Sequence, residues 1–154
     1  MEEGDTFPDF SLPTQDEQTL TKSDLDGQSF VLFAYPRAMT SGCTKEACSV
    51  RDHYQQLQDR GVRPLGISDD PPEKNKKFAE KHKFQYDLLS DEDGELLTKL
   101  GAYGEKKMYG KTYNGTFRYT YIVDENGVIQ KIFKKVNTAE HGEEILAALD
   151  ELDM

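Results

Sequence analysis

The order of its predicted elements indicates that this chain has an α/β fold, with helices covering a central mixed β-sheet. Three patterns carry the prediction. Residues 30–35 form a continuous, β-prone apolar run, as expected of a strand buried on both faces. Residues 44–60 then repeat apolar side chains at helical spacing. Asn126 and Gly127 separate two β-prone stretches, which is the pattern of a tight hairpin.

The residues before the first core strand predict a β extension at one edge of the sheet. Prolines interrupt scattered apolar positions there, which favours short strands or a small hairpin. Residues 22–27 resemble a turn. The core strand stops at Pro36, and after a loop the helix predicted over residues 44–60 ends before Gly61, the residue type most common just past a helix C terminus.

The residues after Gly61 predict further strands and helices. Residues 62–68 predict a second strand with an irregular start at Pro64, residues 101–115 predict a long loop, and Thr138 is a candidate cap for a last helix. The other predicted elements are a helix, a weak strand, a short helix and a hairpin, at residues 69–82, 86–89, 94–100, and 116–123 with 128–136. A βαβ unit followed by ββα is the thioredoxin-like arrangement, and the length suits a single domain over residues 1–154.

The composition argues against several classes of protein. Of the 154 residues, 36% are hydrophobic and 31% are charged, and the formal net charge is −10. Nucleic-acid binding usually needs clustered Lys and Arg, and an acidic membrane surface would repel this chain. The acidic N terminus lacks the apolar core of a signal peptide. We therefore expect a cytoplasmic protein with no nucleic-acid or membrane partner.

The two cysteines are where chemistry is expected, because thiols in a reducing compartment rarely form a permanent disulfide. Cys43 lies beyond the C-terminal end of the buried strand, at the start of the predicted helix. Ligands bind at that end of open α/β sheets, and a helix N terminus favours the thiolate, which is the nucleophile. Thr40 places a hydroxyl three residues before Cys43, and Arg118, predicted inside a strand, would complete an electropositive pocket.

The spacing of Cys43 and Cys48 limits how they react together. Five residues apart on one helix, their Cα atoms would be about 8–9 Å apart and rotated by roughly 140°. A disulfide rarely tolerates a Cα separation beyond about 7 Å. If these two cysteines form a disulfide, the first turn or two of the helix must unwind.

Other interpretations of these residues stay open at this point. A free cysteine is often only a small buried hydrophobe, Thr40 fits a cap or turn residue, and strand arginines often pair with carboxylates. A structural zinc site needs four ligands, and the three histidines supply no pair that matches the cysteines. Dithiol reductases usually use Cys-x-x-Cys, which this chain lacks. A binding protein with an incidental disulfide is the remaining class.

The segment from Pro36 to Cys43, Pro-Arg-Ala-Met-Thr-Ser-Gly-Cys, resembles the active-site loop of the peroxiredoxins, Pro-x-x-x-Thr-x-x-Cys. The residues that follow, up to Cys48, narrow the resemblance to the Q type, also called bacterioferritin comigratory protein. Similar segments occur along nearly the whole chain. They are Lys-Lys-Phe-Ala-Glu at 76–80, Leu-Leu-Ser-Asp at 88–91, Gly-Glu-Lys-Lys-Met-Tyr-Gly at 104–110 and Glu-Glu-Ile-Leu at 143–146.

The resemblance implies a thiol peroxidase that needs no cofactor or metal. Cys43 would be the peroxidatic cysteine, which a hydroperoxide oxidises to a sulfenic acid. Cys48 would be the resolving cysteine, which attacks that sulfenic acid and forms an intramolecular disulfide. Thioredoxin or a similar dithiol protein would then reduce the disulfide. Because the resolving cysteine is internal, we expect a monomer.

The resemblance also implies roles for the residues around the sulfur. Pro36 would shield it, while Thr40 and Arg118 would bond and polarise the peroxide. Glu46 matches a family position that supports the site, although a carboxylate on the helix surface is its other interpretation. Three departures from the family pattern leave these positions intact and bear on substrate preference: Ala38, Ser41 and Tyr119.

Overall fold

The computed structural model describes residues 1–154, except for the side chain of Met108. Its strands are β1 (Ser11–Pro13), β2 (Thr19–Thr21), β3 (Ser29–Ala34), β4 (Val62–Ser68), β5 (Asp87–Ser90), β6 (Tyr103–Met108), β7 (Lys111–Thr116), β8 (Thr120–Val123) and β9 (Ile129–Phe133). The central mixed sheet has the order β5-β4-β3-β8-β9. Strands β3, β4 and β5 are parallel, whereas β8 and β9 are antiparallel to their neighbours.

Helices cover both faces of this sheet. They are α1 (Ser41–Asp52), α2 (Tyr54–Asp59), α3 (Pro72–His82), α4 (Glu95–Leu100) and α5 (His141–Glu151). Val31 and Phe33 of β3 belong to the core shared with α1, α3 and α5, whereas Phe30 and Leu32 belong to the core shared with α4 and the N-terminal segment. Both faces of β3 are therefore buried, which explains its uninterrupted apolar sequence.

The predicted fold class is confirmed, since the chain forms a βαβ unit followed by ββα around a central mixed sheet. The β1–β2 hairpin is the expected N-terminal extension, and it reaches the β5 edge through a bridge between Thr14 and Leu89. β4 has no irregular start: Pro64 pairs in register with Val31 of β3. β5 pairs with β4 only from Leu65 onward. Proline has no backbone N–H, but at position 64 no hydrogen bond to β5 is lost for that reason.

The long loop predicted at residues 101–115 is wrong, because β6 and β7 form a hairpin there. Met108 pairs with Lys111 across a two-residue turn. The turn residues, Tyr109 and Gly110, both have positive φ, +52° and +75°, as in the turns that suit a hairpin twist. Most side chains of β7 are exposed, so its residues carry no alternating apolar pattern that would have revealed a strand.

The predicted helix over residues 44–60 is interrupted at His53. The Ser49 carbonyl would accept the His53 backbone N–H in a continuous helix, but it accepts the His53 ring Nδ1–H instead (2.7 Å). The backbone N–H donates to Val50 O (3.1 Å), and α1 ends. Thr138 does not cap the last helix either, because it begins a 3-10 turn (Thr138–Glu140) that precedes α5.

Two absences hold within the described part of the chain. No helix there combines the length and the apolar character needed to cross a membrane. No group of three or more His, Cys, Asp or Glu side chains there is placed to hold a metal ion.

Candidate active site

Cys43 lies in the first turn of α1, directly beyond the C-terminal end of β3. The helix begins at Ser41, three residues earlier than predicted, so Cys43 is its third residue. Its side chain is only 1% exposed. The backbone N–H groups of a first helical turn carry partial positive charge. An anionic sulfur at this position would therefore face the positive end of the helix dipole.

Arg118 reaches the sulfur from a turn between β7 and β8, not from inside a strand as predicted. A bond from Tyr119 N–H to Phe117 O (2.9 Å) closes a three-residue turn centred on Arg118. Its Nη2 lies 3.4 Å from Cys43 Sγ. Gly42 permits this approach, because a Cβ at that position would lie 3.2 Å from Nη2.

Glu46 holds the other side of the same guanidinium. Its Oε1 accepts a hydrogen bond from Arg118 Nη1 at 2.8 Å, and the residue is fully buried. Burial raises the pKa of Glu46 to about 7, even though Arg118 opposes that rise. Desolvation works against the charge of Arg118, but Cys43 and Glu46 outweigh it and raise its pKa. The planar fork of arginine thus contacts Cys43 and Glu46 through separate nitrogens.

Thr40 and Pro36 lie on the loop that precedes α1. Thr40 is the N-cap residue, but its side chain makes no cap bond. It is exposed, and its hydroxyl donates to Arg37 O at 2.8 Å. Its carbonyl accepts both the backbone N–H and the hydroxyl of Thr44, at 2.9 and 2.7 Å. Pro36 is half-buried where the loop leaves β3.

Cys48 lies in the second half of α1, and both cysteines are free thiols in this structure. Its side chain is half-buried, in contrast to the buried Cys43. Burial raises the pKa of Cys48, with Arg51 acting in the opposite direction. Helix α1 is uninterrupted between the two cysteines.

Asp70, which was not predicted from the sequence, anchors the active-site loop. Its buried Oδ2 accepts the backbone N–H of Ala38 at 2.7 Å. The next residue, Met39, is exposed and has a φ of +70°, a conformation unusual for a side-chain-bearing residue. A signal was present, because Asp70 follows β4 and the C-terminal ends of parallel strands meet at one edge of a sheet.

His141 is a second residue of the site that the sequence did not predict. The residue is fully buried, and Nε2 lies 3.6 Å from Glu46 Oε2. Helical spacing offered a signal, since His141, Ile145 and Leu149 recur every four residues on the face of α5 that packs against the core.

A thioredoxin-like fold with a buried thiol at a helix N terminus, held by an arginine, defines a thiol-dependent redox protein. Residues 4–132 match the AhpC/TSA family. The chain is 42% identical over 151 residues to peroxiredoxin Bcp of Escherichia coli, which covers 98% of this chain and 97% of the relative. A putative peroxiredoxin of Mycobacterium tuberculosis is 45% identical over 126 residues, or 82% of this chain and 80% of that protein. The chain belongs to the AhpC/TSA family, and this membership implies thiol peroxidase activity.

Solved structures agree with this assignment. The peroxidoxin BcpB of Mycobacterium tuberculosis superposes with a TM-score of 0.86 at 36% identity, covering 98% of this chain and 97% of that one. A cysteine-to-serine mutant of Xylella fastidiosa PrxQ gives a TM-score of 0.93 at 27% identity, covering 100% and 98%. A bacterioferritin comigratory protein of Xanthomonas campestris, described as having alkyl peroxide reduction activity, gives 0.88 at 28% identity, covering 94% and 92%.

Proposed function

We propose that this protein reduces hydroperoxides through Cys43, with Cys48 resolving the oxidised cysteine as an intramolecular disulfide. The observation that carries the proposal is the contact between Arg118 Nη2 and Cys43 Sγ at the start of α1. A guanidinium and a helix N terminus converge on one buried thiol. Both stabilise an anionic sulfur, and the thiolate is the form that attacks a peroxide.

In the first step the Cys43 thiolate attacks the terminal oxygen of a hydroperoxide. An S–O bond forms while the O–O bond breaks, so the sulfur is oxidised and the peroxide is reduced. The departing alkoxide, or hydroxide from hydrogen peroxide, takes up a proton and leaves as an alcohol or water. Cys43 becomes a sulfenic acid. Negative charge moves from sulfur to the departing oxygen, and Arg118 stabilises it throughout.

The neighbouring residues position the reactants. Pro36 shields the sulfur from bulk water. Because the Thr40 hydroxyl donates its proton to Arg37 O, its lone pairs can accept a hydrogen bond from the peroxide hydroxyl. Glu46 holds Arg118 by a separate nitrogen, which leaves Nη2 free to face the sulfur and the peroxide.

In the second step Cys48 attacks the sulfenic acid, which releases water and forms the disulfide. Both cysteines lie on the intact helix α1, where their Cα atoms would be about 8–9 Å apart. Disulfides rarely span more than about 7 Å between Cα atoms. The first turns of α1 must therefore unwind before the bond forms.

A dithiol reductant such as thioredoxin completes the cycle. It attacks the Cys43–Cys48 disulfide, becomes a disulfide itself and returns both cysteines to thiols. Hydrogen peroxide and organic hydroperoxides are the proposed substrates. The alkyl peroxide reduction described for the Xanthomonas campestris relative supports the organic class. We further propose that the chain acts as a single-domain monomer, because both redox cysteines lie on one helix.

The test is a count of free thiols by mass spectrometry before and after one equivalent of peroxide. The parent protein should lose two thiols and gain one disulfide. Cys48→Ser should lose one thiol and carry a single added oxygen on Cys43, then stall unless an external thiol is supplied. A parent protein that keeps both thiols after peroxide treatment would contradict the proposed function.

Oxidation should lower the amide hydrogen-exchange protection of the first half of α1. The disulfide requires residues in this segment to leave the helix, so their backbone N–H groups lose their helical partners. Exchange is measured by mass spectrometry on reduced and oxidised protein across residues 40–52. Helix α4, on the opposite face of the sheet, serves as the internal control. Equal protection of residues 40–52 in both states would rule out the unwinding step.

Asp70→Ala should slow the oxidation of Cys43 by up to about 100-fold, because a displacement of about 1 Å at a reacting centre has effects of that size. The change removes the acceptor of the Ala38 N–H and frees the loop that carries Thr40. Asp70→Asn is the matched variant, since its amide oxygen still accepts that bond. Stopped-flow kinetics of peroxide consumption would show the difference, and equal rates for the two variants would refute the anchoring role.

A further inference from the structure

A buried histidine extends the chain of contacts that begins at the Cys43 sulfur. Arg118 joins Cys43 to Glu46 through its two terminal nitrogens. Behind Glu46, at the first residue of α5, lies His141, which is fully buried and whose Nε2 lies 3.6 Å from Glu46 Oε2. Helix α5 is held against α1 at this point, because Gly142 N–H donates to Ser49 Oγ at 2.8 Å.

The surroundings of Glu46 Oε2 and His141 Nε2 favour one proton held by this pair. Glu46 Oε2 is buried and has no hydrogen-bond partner among the described residues. On the other side of the imidazole, Nδ1 lies 3.0 Å from Glu144 Oε1, which also accepts the Asn137 N–H. Nδ1–H therefore donates to Glu144, and the lone pair of Nε2 accepts the Thr120 hydroxyl at 2.8 Å, while Glu46 Oε2 lies 3.6 Å from the same nitrogen. An ionised Oε2 beside this nitrogen is buried without a hydrogen bond, and one proton held by Oε2 or by Nε2 removes that cost.

We propose that His141 is a positioning residue of the peroxidatic site, which shares one buried proton with Glu46 and so determines the charge that Glu46 presents to Arg118. This inference deepens the proposed function and rests on it. While the Glu46–His141 pair holds the proton, its net charge is zero, and the positive charge of Arg118 acts on Cys43 and the peroxide. When the proton is lost, ionised Glu46 competes for that charge.

The groups that face the pair define its electrostatics. From α1, Cys43 lies across Arg118, and from α5 Glu144 contacts the imidazole directly. From β8, Thr120 Oγ1 lies 2.8 Å from Nε2 and is uncharged, and from β9 the Phe133 ring packs edge-on against the imidazole. Burial raises the pKa of Glu46 to about 7 and lowers that of His141, which Glu144 partly restores. The exchange of this proton therefore falls in the neutral range.

The pH dependence of Cys43 oxidation tests the proposal. Rates of the first oxidation by hydrogen peroxide are measured between pH 5.5 and 9 in a Cys48→Ser background. In the parent, the rate should fall along one limb of the profile, where rising pH removes the proton from the Glu46–His141 pair. His141→Gln places an amide N–H towards Oε2, which stabilises ionised Glu46, so the falling limb should move to lower pH by roughly one unit. Glu46→Gln cannot ionise and should lack the limb, and adding His141→Gln to it should change nothing further.

His53→Gln is the matched control, because it removes another histidine from the α1–α5 interface. His53 Nε2 lies 3.9 Å from Glu143 Oε1, and the His53 ring makes no hydrogen bond to Glu46 or Arg118. Its pH profile should superimpose on the parent, even if its stability falls. If His141→Gln merely scales the rate at every pH, as a loss of structure would, the positioning role is overturned.

Nuclear magnetic resonance of the imidazole nitrogens tests the pair without any turnover. In Glu46→Gln, His141 should take up its proton at lower pH than in the parent, because the neighbouring negative charge is gone, whereas His53 should not change. An unchanged His141 titration would overturn the shared proton. A parent that shows this coupling but no oxidation by peroxide would instead contradict the proposed function, so the two failures are distinguishable.

Discussion

Cys43→Ser should abolish peroxide-dependent oxidation of the protein, including the oxidation of Cys48. A serine hydroxyl stays protonated at neutral pH, and the side chain that contacts this position, Arg118, is a cation that cannot act as a base. Cys48 would then have no sulfenic acid to attack. The expected readings are no loss of the remaining thiol with one equivalent of peroxide and no peroxide-dependent consumption of a dithiol reductant.

The change from sulfur to oxygen is small, so the variant should stay folded, and thermal unfolding compared with the parent confirms this. Cys48→Ser is the matched control, since it removes the other thiol but leaves Arg118 and the first turn of α1 unchanged. It should consume one equivalent of peroxide at the parent rate. Rapid oxidation of Cys48 in Cys43→Ser would reverse the two proposed assignments.

Arg118→Met should lower the rate of the first oxidation by roughly 100- to 1,000-fold, the effect expected when a donor to the transition state is removed. The variant loses the contact to Cys43 Sγ and leaves the buried Glu46 without its cation. Glu46 then ionises less readily, so the variant should lose more stability as pH rises towards and above 7. Quench-flow trapping of the reduced thiol measures the rate, and thermal unfolding at pH 6 and pH 8 measures the stability.

Two further variants separate the contact from the fold. Arg118→Lys keeps the charge but cannot donate to Sγ and Oε1 from two fixed nitrogens, so its rate should fall between those of the parent and Arg118→Met. Arg63→Met removes a half-buried arginine that pairs with Asp87 at the opposite end of β4, Nη2 to Oδ2 3.0 Å. It should leave the rate of Cys43 oxidation unchanged. A similar loss of rate in Arg63→Met and Arg118→Met would contradict a specific role for Arg118.

Local patterns predicted most of the central fold because its strands and helices bury regular faces. The run at residues 30–35 and the spacing in α3 and α5 follow directly from which side chains meet the core. The wrong predictions concern segments whose side chains do not bury a regular face. The β6–β7 hairpin lies outside the central sheet, and most side chains of β7 are exposed. Helix α1 ends at Asp52, just before His53, whose ring Nδ1–H donates to the Ser49 carbonyl.

The cysteine pair, its position after β3 and the limit that its spacing sets on disulfide formation were all determined by the sequence itself, because helical geometry acts over a few residues. Arg118 could be proposed as a partner, but only the tertiary structure decided that a turn between β7 and β8 brings its Nη2 to 3.4 Å from Cys43 Sγ. Asp70 could be placed at the same sheet edge, and His141 on the core-facing side of the last helix, but their contacts with the site depended on the tertiary structure. Asp70 lies more than 25 residues from Ala38, and His141 lies more than 25 residues from Glu46, and no local pattern pairs residues over such separations.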